Sequence, residues 1–251
     1  MNSFISWIGG KKLLRNKIVE QFPKTGSYER YIEVFGGAGW VLFSKEKHAK
    51  MEVLNDINGE LVNLYRCVKY HPEALQKELE FALMSREIFF DCKEQIRIRG
   101  MTDIQRAARF YVLIKESFGT DMRSFGVRGK NMSKSIEYLS EVSERLKSVV
   151  IENESYEQLI RTYDRKSALF YLDPPYFEAE KYYPDRFDFN DHKNLKSILD
   201  GLSGKFILSY NDCDFIRNLY SDFNILEVER NDNLLSKSNP RRYREIIIKN
   251  Y

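Results

Sequence analysis

Short apolar runs recur along the chain, separated by longer stretches of mixed polarity. They end near Phe35 and Asn55, and others fall at Ser148–Glu152, Ala168–Leu172, Phe206–Ser209, Asn224–Glu229 and Arg244–Lys249. Runs this short, rich in β-branched and aromatic residues, predict strands. Helices are expected between them, so the alternation predicts an α/β domain whose mostly parallel sheet is covered on both faces. From about Asn58 to Ser140 the alternation stops. There Ile104, Ala107, Ala108, Tyr111, Val112 and Ile114 recur at helical spacing, with few strand signals. This predicts a small helical domain, 58–140, inserted after the second strand, with 1–57 and 141–251 forming the sheet domain. A chain of 251 residues is long enough for both.

Charge changes the picture through its distribution. Lys plus Arg is 40 against 37 for Asp plus Glu, a net charge of only +3. Between Arg97 and Lys134, however, nine basic residues (Arg97, Arg99, Arg106, Arg109, Lys115, Arg123, Arg128, Lys130, Lys134) face three acids (Asp103, Glu116, Asp121), a balance of +6. Phe118, Gly119, Phe125, Gly126 and Gly129 interleave with them. A solvated helix face would explain a plain charge run; the glycines and aromatics favour a DNA-facing loop instead. Cys67, Cys92 and Cys213 are far apart and form no C-x-x-C, and His48, His71 and His192 have no metal-ligand spacing. Buried thiols and no metal are expected, with His192 in a helix-cap turn after Asp191. With no signal peptide or apolar span of membrane length, a cytoplasmic protein with no membrane partner is expected.

Three segments carry candidate chemistry. Asp173-Pro174-Pro175-Tyr176 follows the apolar run Ala168–Leu172. The prolines fix φ and donate no N–H, so the turn cannot continue a sheet ladder. The Asp173 carboxylate and Pro174 carbonyl can both accept from the amino group of a planar heterocycle, with the Tyr176 ring available to stack on it. An ordinary strand-ending turn is the plain alternative. In Tyr31–Gly39 a strand leads into Phe35-Gly36-Gly37-Ala38-Gly39, and a helix is expected from about Trp40; such a turn lets backbone approach a ligand closely. Asp56 ends the next run about 20 residues on, where nucleotide-binding units place the carboxylate that holds ribose hydroxyls. The glycine spacing fits neither a strict dinucleotide fingerprint nor a P-loop, which favours an adenosine ligand without a phosphate chain. In Trp7-Ile8-Gly9-Gly10-Lys11 an apolar ring, a close-approach backbone and a cation suit a zwitterionic amino-acid tail; a surface helix lead-in with a solvated Lys11 is the alternative.

Taken in order, Trp-x-Gly-Gly-Lys at 7–11, Glu33-x-Phe35-x-Gly37-x-Gly39, Asn55-Asp56-Ile57-Asn58 and Asp-Pro-Pro-Tyr at 173–176 resemble the Dam-type (D12 class) DNA adenine N6-methyltransferases. Tyr183, Phe187, Asp191-His192-x-x-Leu195, Lys205–Ser209 and Arg244–Asn250 extend the likeness over nearly the whole chain. The resemblance implies a Rossmann-like S-adenosylmethionine-dependent methyltransferase sheet with an inserted helical target-recognition domain. It implies transfer of a methyl group from S-adenosylmethionine to the exocyclic amino group of adenine in double-stranded DNA, by a monomer, in a restriction–modification, phage or solitary setting. Trp7, Lys11, Asp56 and Asp173 would contact the cofactor, with Phe35, Gly36 and Gly37 lining the same pocket. Asp173, Pro174, Pro175 and Tyr176 would hold the target adenine, and Arg123, Arg128 and Lys130 would meet DNA. Val34 stands where the family commonly has proline, and Ser6 where a basic residue often precedes the tryptophan. The R-Y-N…G-x-F-N-V-P-F-G run of GATC-reading members is absent, so GATC recognition is not implied. A ribosomal RNA base methyltransferase, which can share Asp-Pro-Pro-aromatic, and a catalytically silent DNA-binding relative are the alternatives.

Overall fold

The computed structural model of the chain describes residues 1–24, 26–82, 85–126, 132–178, 187–231 and 242–251. A seven-stranded sheet forms from β1 (Arg30–Glu33), β2 (Met51–Asn55), β3 (Val149–Glu152), β4 (Ala168–Leu172), β5 (Lys205–Asn211), β6 (Asn224–Asn231) and β7 (Arg242–Lys249), in the order β3-β2-β1-β4-β5-β7-β6. Strands β1 to β5 pair in parallel, and β7 runs antiparallel between β5 and β6. All seven expected strands are present.

The chain steps outward from β1 to β2 and β3, then returns to place β4 against the other side of β1. This reversal opens a crevice beyond the carboxyl ends of β1 and β4, the usual ligand site of an open α/β sheet. Side chains alternate between the two faces, as the pleat requires. Tyr31, Leu169, Tyr171, Ile207 and Ile247 point to one core, while Ile32, Phe170, Phe206, Leu208, Ile246 and Ile248 point to the other. Every residue of β4 is buried, which accounts for its unbroken apolar sequence. Helices α7 (Tyr156–Tyr163), α8 (Phe189–Asp200) and α9 (Asp214–Leu219) cover the second face.

The first face is covered by α1 (Arg15–Glu20) and by the helical stretch α2 (Gly59–Tyr70), α3 (Pro72–Glu80), α4 (Arg86–Gln95), α5 (Asp103–Glu116) and α6 (Met132–Leu146). Asn58 and Ser85 cap α2 and α4, and Thr102 with Gln105 forms a capping box on α5. The buried side chains of these helices belong to the same continuous core as the sheet face. Helix α6 runs through residue 140, where the sequence suggested the stretch would end.

One local expectation is corrected. No α-helix follows the glycine turn; only a 3-10 turn forms at Leu42–Ser44, and Lys45 is already extended (φ −129°, ψ 158°) on the way to β2. The Leu42 N–H, which would enter a helix start, donates instead to the buried Glu33 carboxylate. His192 closes the cap turn of α8 as expected, its N–H donating to the Asp188 carbonyl at 3.3 Å, while Asp188 and Asp191 supply the side-chain cap reciprocally. The histidine lies one position further into α8, buried, with Nδ1 2.6 Å from the Tyr210 hydroxyl. Cys67 and Cys92 are buried, and burial pushes both thiols up to about 11; Cys213 is only half-buried. Among the described residues no helix is long and apolar enough to cross a membrane.

Helix α6 is tied to the sheet by Arg145, whose guanidinium donates to both oxygens of Glu52 on β2 at 2.8 Å, the two side chains being 5 % and 1 % exposed. Removing one partner leaves an uncompensated buried charge. Arg145→Leu is therefore expected to lower stability by about 3–5 kcal/mol, read as a shifted urea midpoint. A midpoint equal to wild type would contradict the role of this pair.

Candidate active site

The glycine turn after β1 is shaped by what surrounds it. Gly36 donates to the Asn55 carbonyl at 2.7 Å, and a Cβ there would lie 2.7 Å from both that oxygen and Leu54, so no side chain fits. Gly37 has φ +48°, and a Cβ on it would come within 2.9 Å of the Trp7 ring. Its N–H donates to Asp56 Oδ2 at 2.8 Å, while Asp56 Oδ1 accepts from the Asn58 N–H at 2.9 Å. The Tyr65 hydroxyl donates to the Gly37 carbonyl at 2.9 Å. Asp56 thus holds the turn as well as facing the crevice.

At the tip of β4, Asp173 meets the N-terminal segment. Lys11 Nζ lies 2.7 Å from Asp173 Oδ1 with its side chain only 4 % exposed, so it is an inward cation and not a solvated one. Lys11 also donates to the Gly9 carbonyl at 2.8 Å and sits 4.7 Å from the centre of the Tyr176 ring. From β5, Ser209 Oγ donates to the same Asp173 oxygen at 3.0 Å and stands 3.1 Å from the Tyr171 hydroxyl. Burial pushes the Asp173 carboxyl above its ordinary range, opposed by Lys11 and Ser209 and reinforced by Glu245. Pro174 is buried, and the half-buried Tyr176 donates its hydroxyl to Glu245 Oε2 on β7 at 2.5 Å. Burial, Asp173 and Glu245 push the Tyr176 phenol well up, so it stays a neutral donor.

Trp7, Lys11, Phe35, Gly36, Gly37, Asp56, Asp173 and Pro175 line one open cleft of about 690 Å³. Glu33, Trp40 and Tyr171 line it too. These three, with Ser209 and Glu245, have no role assigned from sequence. Ser209 and Glu245 each stand as a polar residue beside an apolar run, in Ile207-Leu208-Ser209 and Glu245-Ile246-Ile247, and like Glu33 they fall in segments of the family likeness, though none had a role attached. A neighbouring depression of about 670 Å³ shares Phe35, Ile57 and Pro175 with the cleft and is closed by Tyr156, Phe187 and Asp191. The Phe35 ring packs 5.8 Å from both Tyr156 and Phe187.

The basic stretch divides into two kinds of residue. Arg106 pairs with Glu60 and Asp103, and Arg109 pairs with Glu78, so their charge is spent inside the helical stretch. Arg123 is exposed on the loop after α5; its N–H donates to Asp121 Oδ1 at 2.9 Å, and its carbonyl accepts from Lys93 at 3.3 Å. Beside it Arg86 lies 5.3 Å over Phe125, and Phe90 and Phe118 are exposed. Arg86, Phe90 and Lys93 follow helical spacing on α4, a basic and aromatic stripe not read from sequence. Arg128, Lys130 and Tyr183 lie outside the described residues. Among the described residues no group of His, Cys, Asp and Glu is placed to hold a metal ion.

The family model of the D12 class N6 adenine-specific DNA methyltransferases matches residues 7–234. The type II methyltransferase M.MjaIII of Methanocaldococcus jannaschii is 30% identical, covering 99% of this chain and 98% of its own length. The type II methyltransferase M1.LlaDCHI of Lactococcus lactis subsp. cremoris is 28% identical over 100% of this chain and 96% of its own. The DNA adenine methylase of Escherichia coli strain K12 is 25% identical over 91% and 88%.

Glu33, fully buried, is pushed up to about 8 by desolvation, although its Oε2 accepts from the Tyr31 hydroxyl at 2.7 Å and the Leu42 N–H at 2.8 Å. The folded state therefore holds this proton where the unfolded state has released it. The contribution is fully present below the ordinary glutamate range and is lost as pH rises toward 8, by up to about 1.4 kcal/mol per pH unit. Glu33→Gln, neutral at every pH, is expected to show a shallower decline of melting temperature than wild type between about pH 4.5 and 8. Parallel profiles for the two proteins would refute a protonated Glu33.

Proposed function

The chain belongs to the D12 class N6 adenine-specific DNA methyltransferases, and we propose that its methyl transfer to adenine takes place in the crevice at the ends of β1 and β4. S-adenosyl-L-methionine is the methyl donor of this family, supplying an already activated methyl group. The observation that carries the siting is the fixed carboxylate of Asp173. Lys11 and Ser209 both engage its Oδ1, leaving Oδ2 as the acceptor for an incoming amino group.

The cleft fits an adenosine-linked amino acid. Gly36 has no room for a side chain, Trp7 closes over Gly37, and Asp56 sits where ribose hydroxyls would be held. Phe35 would flank the nucleoside. Lys11 and Asp173 would receive the two charged groups of the amino-acid tail.

The amino nitrogen of adenine is a poor nucleophile because its lone pair is delocalised into the ring. Asp173 and the Pro174 carbonyl, accepting its two hydrogens, would favour a more tetrahedral nitrogen with an available lone pair. Pro175 keeps that turn stiff. Holding the reacting atoms in line can lower a barrier by roughly 7–11 kcal/mol. Tyr176 would stack on the base, worth about 1–3 kcal/mol, which offsets part of the few kcal/mol needed to take adenine out of a duplex.

We assign 58–146, to the end of α6, as the target-recognition insertion, extending the 58–140 expected from sequence. Double-stranded DNA would be met by Arg123, Arg128 and Lys130, joined by Arg86 and Lys93. The enzyme would act as a monomer, since one chain carries the cleft and the basic surface, and in the cytoplasm. Two relatives are type II methyltransferases, which supports a restriction–modification setting over a phage or solitary one. The intact Lys11–Asp173 pair argues against a silent relative.

The direct test is tritiated methyl incorporation into duplex DNA, single-stranded DNA and total RNA. Duplex DNA should be labelled as 6-methyladenine, and Asp173→Asn, which keeps the side-chain shape, should abolish labelling. Methylcytosine as product, preferential labelling of RNA, or wild-type rate in folded Asp173→Asn would overturn the siting. A second test concerns the insertion. Each neutralised phosphate contributes about −0.9 to the log–log salt slope of DNA binding. Arg123→Ala should make the slope shallower by about that amount and leave cofactor affinity unchanged. An unaltered slope and affinity would remove Arg123 from the DNA surface.

A further inference from the structure

The buried carboxylate of Glu245 has no place in the chemistry so far. It lies on β7, opposite Asn211 of β5 and Val228 of β6, only 3 % exposed and followed by the buried Ile246, Ile247 and Ile248. A carboxylate in such a strand costs several kcal/mol unless it is well partnered. Among its partners is the tip of the catalytic tetrapeptide, the Tyr176 hydroxyl at 2.5 Å. Tyr176 itself sits outside the sheet ladder, on a turn with no regular hydrogen bonding. The prolines before it fix only the backbone end of the residue. The ring is otherwise bounded by Lys11 Nζ at 4.7 Å from its centre and by the Tyr210 ring, tilted 36° at 6.0 Å.

We propose that Glu245 is a positioning residue that sets the plane of the Tyr176 ring, so that the ring presents a fixed face to the extruded adenine. This rests on the reading of Tyr176 as the base platform. The bond acts at the far end of the ring from Cα, where it limits rotation about χ1 and χ2 most effectively. The hydroxyl remains protonated because burial and the two nearby carboxylates push the phenol up, so the donor is constant over the working pH range. The bond also joins the last strand to the tetrapeptide, 69 residues apart in sequence.

The test is a double-mutant cycle on Glu245→Leu, which has no acceptor, and Tyr176→Phe, with a duplex carrying the sequence found methylated in a host that expresses the wild type. The readouts are kcat, KM for DNA, and the fluorescence of 2-aminopurine at the target position, which is quenched by stacking. Each single variant should lower kcat by about tenfold with KM changed by less than about twofold, and should weaken the quenching. The double variant should be no slower than either single, because both remove the same bond. Multiplied losses in the double variant would show that Glu245 acts through another group, such as Asp173, and would overturn the proposal. So would wild-type kcat and quenching in folded Glu245→Leu, or wild-type kcat in Tyr176→Phe, which probes the bond from its other end should Glu245→Leu fail to fold. Wild-type kcat and quenching in Tyr176→Ala would instead defeat the platform reading itself.

Discussion

The contact between the Lys11 ammonium and the Asp173 carboxylate is the constraint on which the site depends. Both groups are largely withdrawn from water, and desolvating two charges is expensive unless the geometry is good and the remaining valences are met. Gly9 takes one ammonium hydrogen, and Ser209 reinforces the carboxylate oxygen that Lys11 holds. This fastens the N-terminal segment across the mouth of the sheet and brings Trp7 down onto the glycine turn. It also makes the carboxylate asymmetric, with one oxygen engaged and the other available. Lys11 of the N-terminal segment and Asp173 at the end of the central strand β4 thus fix each other's orientation, and with it the cleft between them.

How much of this was legible in the sequence follows from what each feature depends on. The strands were readable because their apolar runs are short and bounded, and β4 because both its faces are buried. The tetrapeptide, the glycine turn and Trp7–Lys11 were readable because their constraints are covalent or local: proline's fixed φ, glycine's missing Cβ, a cation beside two glycines. Ser209 and Glu245 were not, because only the order β1-β4-β5-β7 brings their side chains to Asp173 and Tyr176. The expected helix after Gly39 failed for a related reason. A buried carboxylate from β1 takes the Leu42 N–H, and few residues separate that point from β2. Composition misled most in the insertion, where Arg106 and Arg109 counted toward a basic surface but are consumed by internal partners.

The insertion is less separate than its sequence boundaries suggested. Its helices share one core with a face of the sheet, Phe110 on α5 lies 6.2 Å from Trp7, and Arg145 locks α6 to β2. Interfaces packed in this way move as discrete units and do not deform continuously. A surface that meets DNA through Arg123 would therefore be held in fixed relation to the cofactor side of the cleft.

The electrostatics of the cleft point the same way. Glu33, Asp56 and Asp173 line it together, and one buried cation stands among them. Three ionised carboxylates could not share that space cheaply, and the structure separates them by environment. Asp56 is half-exposed and accepts from two backbone N–H groups. Asp173 has Lys11. Glu33 has neutral donors, and its burial pushes the carboxyl up to about 8. With burial pushing Glu33 toward its neutral form, less negative charge stands beside Asp173, so the carboxylate proposed as the adenine acceptor keeps Lys11 and loses a repulsive neighbour.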